Sequence, residues 1–384
     1  DFRNTNLPLW VTASCDIMPF DGLEANIGEY ALLNDKGGAV AFYGTTRTVY
    51  AQYNRHINRA FIHRVLSLVD GKPITIGEAH RLAQNDLVSG NGPTSGSDVT
   101  VNHLHYSLLG DPALALNLPM HQIVVDSING IPVAGAATLP MLKAGSIARM
   151  AGHIEGADDF RGVITATVRD SKETVTCRLN DTGKDGAEKA FEYKDRTKTL
   201  YQGTDSVRGG KFTFSFAVPL DINYSNQSGL VNLYAVNTAK TLSAHGSSEQ
   251  FTVGESEEQK NDSIGPSIYC YLNSPSFVDG GNVNTTPFFV AKIIDKDGIN
   301  AAGSGIGHDL QLVIDGDMSK AYVLNSNFIY DFGTYTSGST YYSIPQLEPG
   351  KHELTFRAWD IQNNSSTVKL RFNVVKALSP ALFD

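Results

Sequence analysis

Cysteine is scarce in this chain of 384 residues, which contains only Cys15, Cys177 and Cys270. The three lie far apart in sequence, and each falls in a different predicted domain. A framework of disulfide bonds is therefore not expected. The small cysteine count does not by itself decide between an oxidising and a reducing compartment.

The chain also lacks an excess of basic residues. Its 31 lysines and arginines are outnumbered by 40 aspartates and glutamates, which gives a net charge of −9. Without a basic stripe for phosphates, neither nucleic acid nor an anionic membrane surface is expected as the main partner. No apolar run approaches the roughly 18 residues that a transmembrane helix needs, so no membrane span is predicted.

The composition that remains is that of a folded protein, with 41% hydrophobic and 18% charged residues. The length is too great for one hydrophobic core and predicts three domains. Residues 1–119 alternate short apolar runs with segments of helical period, which indicates an α/β domain. Residues 120–262 and 263–384 show strand periodicity between Gly, Asp, Asn and Ser turns, which favours two all-β sandwich domains.

Within the first domain, individual elements can be predicted. The apolar runs Leu9–Ala13 and Gly38–Tyr43 are suited to buried parallel strands. A short helix is expected over residues 27–34, and a longer one after Asn54, where apolar residues recur at three-four spacing. Thr75 is expected to cap a further helix.

Cys15 is the one residue whose position suggests a nucleophile. It follows an apolar strand directly, and open α/β sheets place catalytic groups at the ends of their strands. A cysteine at its unperturbed pKa of about 8.5 holds only a few per cent thiolate at neutral pH, so it needs a nearby imidazole. The alternative is that Cys15 is a small buried hydrophobic residue at the end of a core strand.

Several stretches together resemble a known family. They are Trp10–Asp16, Gly28–Asn34, Gly37–Arg47 and Leu108–Pro112. This pattern resembles the gingipain-related cysteine peptidases, and most closely the PorU-type sortases of the type IX secretion system in Bacteroidetes. Similar stretches continue at Gly303–Asp309 and Ala358–Asp360, so that the resemblance covers nearly the whole chain.

The resemblance implies a caspase-like α/β fold, present here as part of a catalytic domain and followed by two immunoglobulin-like domains. It also implies a His-Cys dyad whose histidine belongs to a His-Gly element preceding the cysteine. Residues 1–14 contain no histidine. We therefore expect the general base upstream of Asp1, in a segment that also accounts for the missing initiator Met and signal peptide.

The ten histidines within the chain are not expected to replace that base. Those of the first domain fall in predicted helices or just before its closing strand: His56, His63, His80, His103 and His105. Surface or helix-flanking roles are the simpler interpretation for all of them.

Four further residues are candidates for supporting roles. The resemblance places Thr45, Thr46 and Arg47 in the region where the family forms its substrate pocket, although they could equally form a turn with an exposed arginine. Glu29, at a predicted helix start, could orient the site. The interpretation favoured here is that Glu29 interacts with the helix dipole.

The leading hypothesis is a sortase that cleaves the C-terminal export domains of cargo proteins through a thioester at Cys15. The resemblance implies possible contacts with outer-membrane secretion components and lipopolysaccharide, and a location on the outer membrane's extracellular face or secreted from a Gram-negative bacterium. The alternatives are a gingipain-like surface endopeptidase that only hydrolyses, and an inactive scaffold or binding protein.

No cofactor is expected, and calcium is only a weak possibility. Asp295–Gly298 and Asp315–Asp317 place carboxylates in turns, and some relatives are stabilised by calcium. Neither turn continues into a full calcium loop with a glutamate as its twelfth residue. No metal-ligand residues are therefore predicted.

Overall fold

The computed structural model describes residues 3–89, 97–177, 183, 186–257, 262–302 and 307–376. The chain divides into two compact units, Asp1–Leu118 and Pro119–Asp384. No helix in the described ranges is long and apolar enough to cross a membrane.

The described residues of the first unit form short strands and four helices. Its strands are β1 (Leu9–Val11), β2 (Ala41–Thr45), β3 (Leu68–Val69), β4 (Lys72–Pro73) and β5 (Tyr106–Gly110). Its helices are α1 (Ile27–Leu33), α2 (Ala51–Val65), α3 (Ile76–Val88) and α4 (Thr100–His105). The sheet that carries the candidate site has the order β1-β2-β5.

Local sequence explains where two of these helices begin. Asn26 and Glu29 form a capping box at the start of α1, in which each side chain bonds the backbone N–H of the other. The Thr75 side chain accepts a hydrogen bond from the Glu78 N–H at the start of α3. Both devices satisfy N–H groups that would otherwise have no partner within the helix. The predicted cap at Thr75 is confirmed.

Strand β2 forms the centre of the first unit. All five of its residues are buried, and it pairs in parallel with β1 and antiparallel with β5. Tyr43 of β2 stacks on Phe61 of α2, with ring centroids 3.8 Å apart. This packing fixes β2 beneath α2 and leaves the carboxyl ends of β1 and β2 at the same edge of the sheet.

The second unit is built almost entirely of strands. Up to residue 256 these are β6 (His121–Ile128), β7 (Ile131–Pro132), β8 (Met141–Ala144), β9 (Ile147–Ile154), β10 (Gly162–Arg169), β11 (Glu173–Thr176), β12 (Glu192–Asp195), β13 (Thr199–Arg208), β14 (Lys211–Ala217), β15 (Gln227–Ser228), β16 (Leu230–Asn237), β17 (Ser243–Ser248) and β18 (Thr252–Ser256).

The remaining strands are β19 (Ser267–Leu272), β20 (Asn282–Val283), β21 (Phe288–Ile294), β22 (Gln311–Ile314), β23 (Tyr322–Val323), β24 (Ile329–Tyr330), β25 (Ser337–Ser343), β26 (Gly350–Trp359) and β27 (Ser365–Val374). Two short 3-10 helices, Met318–Lys320 and Asn325–Asn327, lie between them.

Seven strands of the second unit close into a barrel. They follow the order β17-β16-β10-β13-β14-β9-β6, and β17 then pairs in parallel with β6. The closing register joins Ala244 to His121. Along β10, alternate residues such as Ile164, Ala166 and Val168 are buried, which is the period-two pattern that strands require.

Smaller sheets accompany the barrel. One has the order β19-β21-β25-β24 and another the order β20-β27-β26-β22-β23. One hydrophobic core runs through the barrel and these two sheets. Tyr201 of the barrel, for example, lies 5.2 Å from Tyr330 of β24 between ring centroids. The second unit is therefore held together by shared packing.

The fold class predicted from the sequence is wrong. The chain is mostly β, with a seven-stranded barrel and curled sheets in place of a caspase-like α/β domain followed by two immunoglobulin-like sandwiches. Strands β1 and β2, from the two runs predicted as parallel strands, do pair in parallel, and β5 makes the sheet mixed. Period-two patterns are the same in sandwiches and barrels, and barrel closure depends on a pairing between segments far apart in sequence.

Two other predictions are not fully tested by the described residues. Residues 303–306 of the stretch Gly303–Asp309 lie outside the described residues. The boundary between residues 262 and 263 stays a prediction, as do the domains 1–119, 120–262 and 263–384.

Candidate functional site

Cys15 lies in the loop that follows β1, at the edge where the parallel strands β1 and β2 both end. Its side chain is exposed. The next residue, Asp16, has a φ of +47°, so the chain turns sharply directly after the cysteine. The Cys15 Sγ lies 3.3 Å from the carbonyl oxygen of Val49 and donates its hydrogen to it. The thiol is therefore held at the surface in a defined direction.

The residues directly after β2 form the wall beside Cys15. Residues 46–50 connect β2 to α2 and are named the 46–50 segment below. The N–H of Asp16 donates to the Arg47 carbonyl at 3.3 Å, and the Thr48 hydroxyl donates to the Asp16 carboxylate at 2.9 Å. The cysteine loop is thus attached to this segment at several points.

The structure places the two predicted pocket threonines in different surroundings. Thr45 is fully buried, and its hydroxyl donates to the Ser14 carbonyl at 2.6 Å, next to Cys15. Thr46 instead contacts the end of α4, where its hydroxyl donates to the His105 carbonyl at 3.2 Å. Their roles in binding substrate stay predictions.

Arg47, the third predicted pocket residue, is exposed and forms an ion pair with Asp21. Its guanidinium donates to both carboxylate oxygens of Asp21. This hydrogen bonding lowers the pKa of Asp21 below its ordinary value. The pair connects the end of β2 to the loop between Cys15 and α1.

Glu29 takes part in the capping box of α1. Its carboxylate accepts from the backbone N–H of Asn26 at 3.0 Å and from the Asn26 side-chain amide at 2.7 Å. These contacts fix the start of α1. A role of Glu29 in orienting the site stays a prediction.

Sequence reasoning missed a buried polar network behind the site. Asn54, Asn58 and Asn102 are all buried. Asn102 donates to the Asn54 side chain at 2.9 Å, and Asn58 donates to the Tyr106 hydroxyl at 2.6 Å. The available signal was the recurrence of asparagine four residues apart within the apolar pattern of α2.

Tyr106 is the partner of Asn58 in that network. Burial raises the pKa of Tyr106 to about 12, the hydrogen bond from Asn58 opposes this change, and the charge of Cys15 adds to it. The Tyr106 hydroxyl therefore stays protonated at neutral pH.

In the first unit, the His105 ring forms a hydrogen bond with the backbone. Its Nδ1 lies 3.2 Å from the Thr48 carbonyl oxygen. Because a carbonyl can only accept, Nδ1 carries the proton in this contact. His56 and His63 lie on α2, and His103 lies on α4.

His80 gives a prediction about stability. Burial, and secondarily the nearby His103, lower the pKa of His80 below its ordinary value of 6.5. Below pH 6.5 the unfolded chain therefore binds a proton that the folded chain resists. The stability that neutral His80 confers is complete above pH 6.5 and is lost as the pH falls from there to the lowered folded-state pKa.

We expect His80→Leu to reduce the fall in melting temperature between pH 7.5 and pH 5.5, as measured by circular dichroism. The buried Ala83→Gly substitution, on the same helix, lowers stability but retains His80, so it should leave that fall unchanged. An equal pH dependence in His80→Leu and the parent protein would contradict the prediction.

The two acidic turns of the second unit do not offer a set of free ligands for calcium. Asp295 accepts the backbone N–H groups of Asp297 and Gly298 at 2.8 and 3.1 Å. Asp315 accepts the Glu353 N–H at 3.0 Å. Across the described residues, no group of three or more His, Cys, Asp or Glu side chains could hold a metal ion. The Asp295 carboxylate thus stabilises its own turn, whereas Asp315 joins its turn to strand β26.

An exposed cysteine that a neighbouring loop holds at the edge of a sheet can serve as the nucleophile of a thiol enzyme. Comparison with known proteins indicates the class of enzyme. Residues 1–117 match the sequence model of Peptidase family C25. The first unit is therefore related to the gingipain family of cysteine peptidases. No curated protein matches this chain.

Among solved structures, the chain is similar to dimeric latent PorU from Porphyromonas gingivalis, with 31% identity and a TM-score of 0.45. The match covers 90% of this chain and 32% of the PorU chain, so this chain spans about a third of PorU. Red sea bream transglutaminase also matches, at 10% identity and a TM-score of 0.20, over 67% of this chain and 32% of that chain.

Proposed function

We propose that this chain carries the nucleophile of a sortase-type cysteine endopeptidase that cleaves cargo proteins near their C-terminal export domains. The observation that carries the proposal is the exposed Cys15 thiol, held at the edge of the sheet within the residues that match Peptidase family C25.

The chemistry of the proposal begins with the Cys15 sulfur attacking the carbonyl carbon of the scissile peptide bond. The carbon–nitrogen bond breaks, the leaving amine takes a proton, and a thioester joins the cargo to Cys15. An amine or water then attacks the thioester and releases the thiol. Transfer to an amine forms a new amide, whereas water leaves a free carboxylate.

The attack requires a base that accepts the thiol proton. The family resemblance assigns this role to a histidine in a His-Gly element that precedes the cysteine, and residues 1–14 contain none. His105 is bonded to Thr48 through Nδ1, and His80 is disfavoured as a proton acceptor by its burial. The proposal therefore includes a histidine N-terminal to Asp1.

The cellular setting is part of the same proposal. The cargo would be exported by a type IX secretion system and processed on the extracellular face of the outer membrane of a Gram-negative bacterium. The accepting amine would belong to surface lipopolysaccharide, and secretion components would hold the enzyme there. The resemblance of the chain to PorU-type sortases supports this setting.

The products distinguish transfer from hydrolysis. We expect mass spectrometry of processed cargo to show an amide adduct at the new C-terminus when an amine donor is supplied. A free carboxylate as the sole product would contradict the sortase and favour a gingipain-like hydrolytic endopeptidase. A synthetic cargo peptide that ends at the same site in a free carboxylate serves as the reference for mass.

A further inference from the structure

The backbone of the 46–50 segment contacts different neighbours at alternate residues. On the cysteine side, the Arg47 carbonyl accepts the Asp16 N–H at 3.3 Å. The Val49 carbonyl accepts the Cys15 thiol, also at 3.3 Å. The backbone carbonyls of the odd-numbered residues thus hold the nucleophile and its following residue, and the Thr48 hydroxyl adds a side-chain bond to Asp16.

The backbone groups of the even-numbered residues are held by α4, which ends at His105. The Thr46 N–H donates to the His105 carbonyl at 2.9 Å, and the His105 ring donates to the Thr48 carbonyl at 3.2 Å. Tyr50 is held by Asn102. The segment is therefore held between the cysteine loop on one side and α4 on the other.

Asn102 makes two hydrogen bonds to the backbone of a single residue of the segment, Tyr50. Its Oδ1 accepts the Tyr50 N–H at 3.0 Å, and its Nδ2 donates to the Tyr50 carbonyl, also at 3.0 Å. The same Nδ2 donates to Asn54 at 2.9 Å, and the side chain is fully buried. Tyr50 begins α2 without a side-chain cap of its own. Asn102 therefore fixes both polar groups of the Tyr50 backbone.

We propose that Asn102 is a positioning residue for Cys15, acting through the backbone of Tyr50 and the carbonyl of Val49. Its effect on catalysis rests on the proposed function, but its effect on the thiol does not. The Tyr50 N–H that Asn102 holds and the Val49 oxygen that accepts the thiol belong to the same peptide unit. A displacement at Tyr50 is thereby transmitted to the sulfur.

The expected consequence is a change in kcat. A sulfur misplaced by about 1 Å costs on the order of 100-fold in rate, because the attacking atom must lie close to the carbonyl carbon. Substrate binding does not depend on the thiol's direction. We therefore expect Asn102→Ala to lower kcat for cargo cleavage by about tenfold or more with little change in KM.

A second measurement does not depend on catalysis. In Asn102→Ala the Cys15 thiol should lose its fixed acceptor, and alkylation of Cys15 by iodoacetamide should become several-fold faster. The rate is followed by mass spectrometry of the Cys15 peptide, well below the melting temperature. If Asn102→Ala does not fold, Asn102→Asp retains the acceptor for the Tyr50 N–H and gives the same comparison.

Thr75→Ala is the matched control, because it removes the cap of α3 and lowers stability without touching the 46–50 segment. It should leave kcat and the alkylation rate unchanged. Unchanged kcat and alkylation in the Asn102 variant overturn the proposal, and so does an equal change in Thr75→Ala. If alkylation changes but Cys15→Ala still cleaves cargo, the positioning role stands and the proposed function fails.

Discussion

Replacing Cys15 with alanine is expected to lower cargo cleavage by at least about 1000-fold, since loss of a nucleophile removes the covalent route entirely. The substitution deletes one exposed sulfur atom, so the fold should be retained. The measurement is the initial rate of cargo cleavage by protein that includes the proposed histidine N-terminal to Asp1, followed by gel electrophoresis. Trapping of a cargo adduct on Cys15 in the parent protein would provide direct evidence for the thioester.

Cys177→Ala is the matched control for this experiment. Cys177 is also a free cysteine and is partly exposed, but it follows strand β11 in the second unit. Its replacement should leave the cleavage rate unchanged. If Cys15→Ala cleaves cargo at the parent rate, the thioester mechanism is excluded, and the binding or scaffolding alternative becomes the better account.

Gly38→Ala is expected to destabilise the first unit by about 3 kcal/mol or more, because strain and a steric clash combine there. Gly38 has a φ of +106°, and a Cβ at this position would lie 2.0 Å from the Ala31 carbonyl oxygen. That oxygen already accepts the Ala39 N–H at 2.8 Å. Relief of the clash would displace the entry into β2, whose far end adjoins the Cys15 loop.

The two tryptophans make this measurable. Trp10 lies in the first unit and Trp359 in the second. Urea unfolding in a Trp359→Phe background, followed by tryptophan fluorescence, therefore reports on the first unit alone.

Gly71→Ala is the matched control for the glycine substitution. Gly71 also has a positive φ, +71°, but a Cβ there would meet nothing within 4 Å. Only the cost of the left-handed backbone applies, about 1 kcal/mol. Equal unfolding midpoints for the Gly38 and Gly71 variants would show that the clash with Ala31 is relieved without cost.

Local features of the fold could be predicted from the sequence. The Thr75 cap depends on a contact only three residues away. The apolar run that begins at Leu9 forms strand β1, because its own residues favour a strand that is partly covered. Closure of the barrel was missed, because strands β6 and β17 come from opposite ends of the barrel's sequence. Strand periodicity contains no information about such a partner.

The same distinction applies to the candidate site. Cys15 could be singled out because it directly follows an apolar run, which a sequence shows. The contribution of Asn102 could not, because it depends on contact with Tyr50, which lies about fifty residues earlier in the chain. A lone asparagine in a short helix has no distinguishing pattern.

The parallel pairing of β6 with β17 has a consequence for the kinetics of folding. The barrel cannot close until its first strand meets its last, and the intervening chain must already be arranged for that encounter. Such non-local pairings are characteristic of domains that fold on the order of milliseconds to seconds. During that interval the unpaired edges of β6 and β17 remain exposed to other chains. Rapid dilution from denaturant at high protein concentration should therefore favour aggregation over refolding.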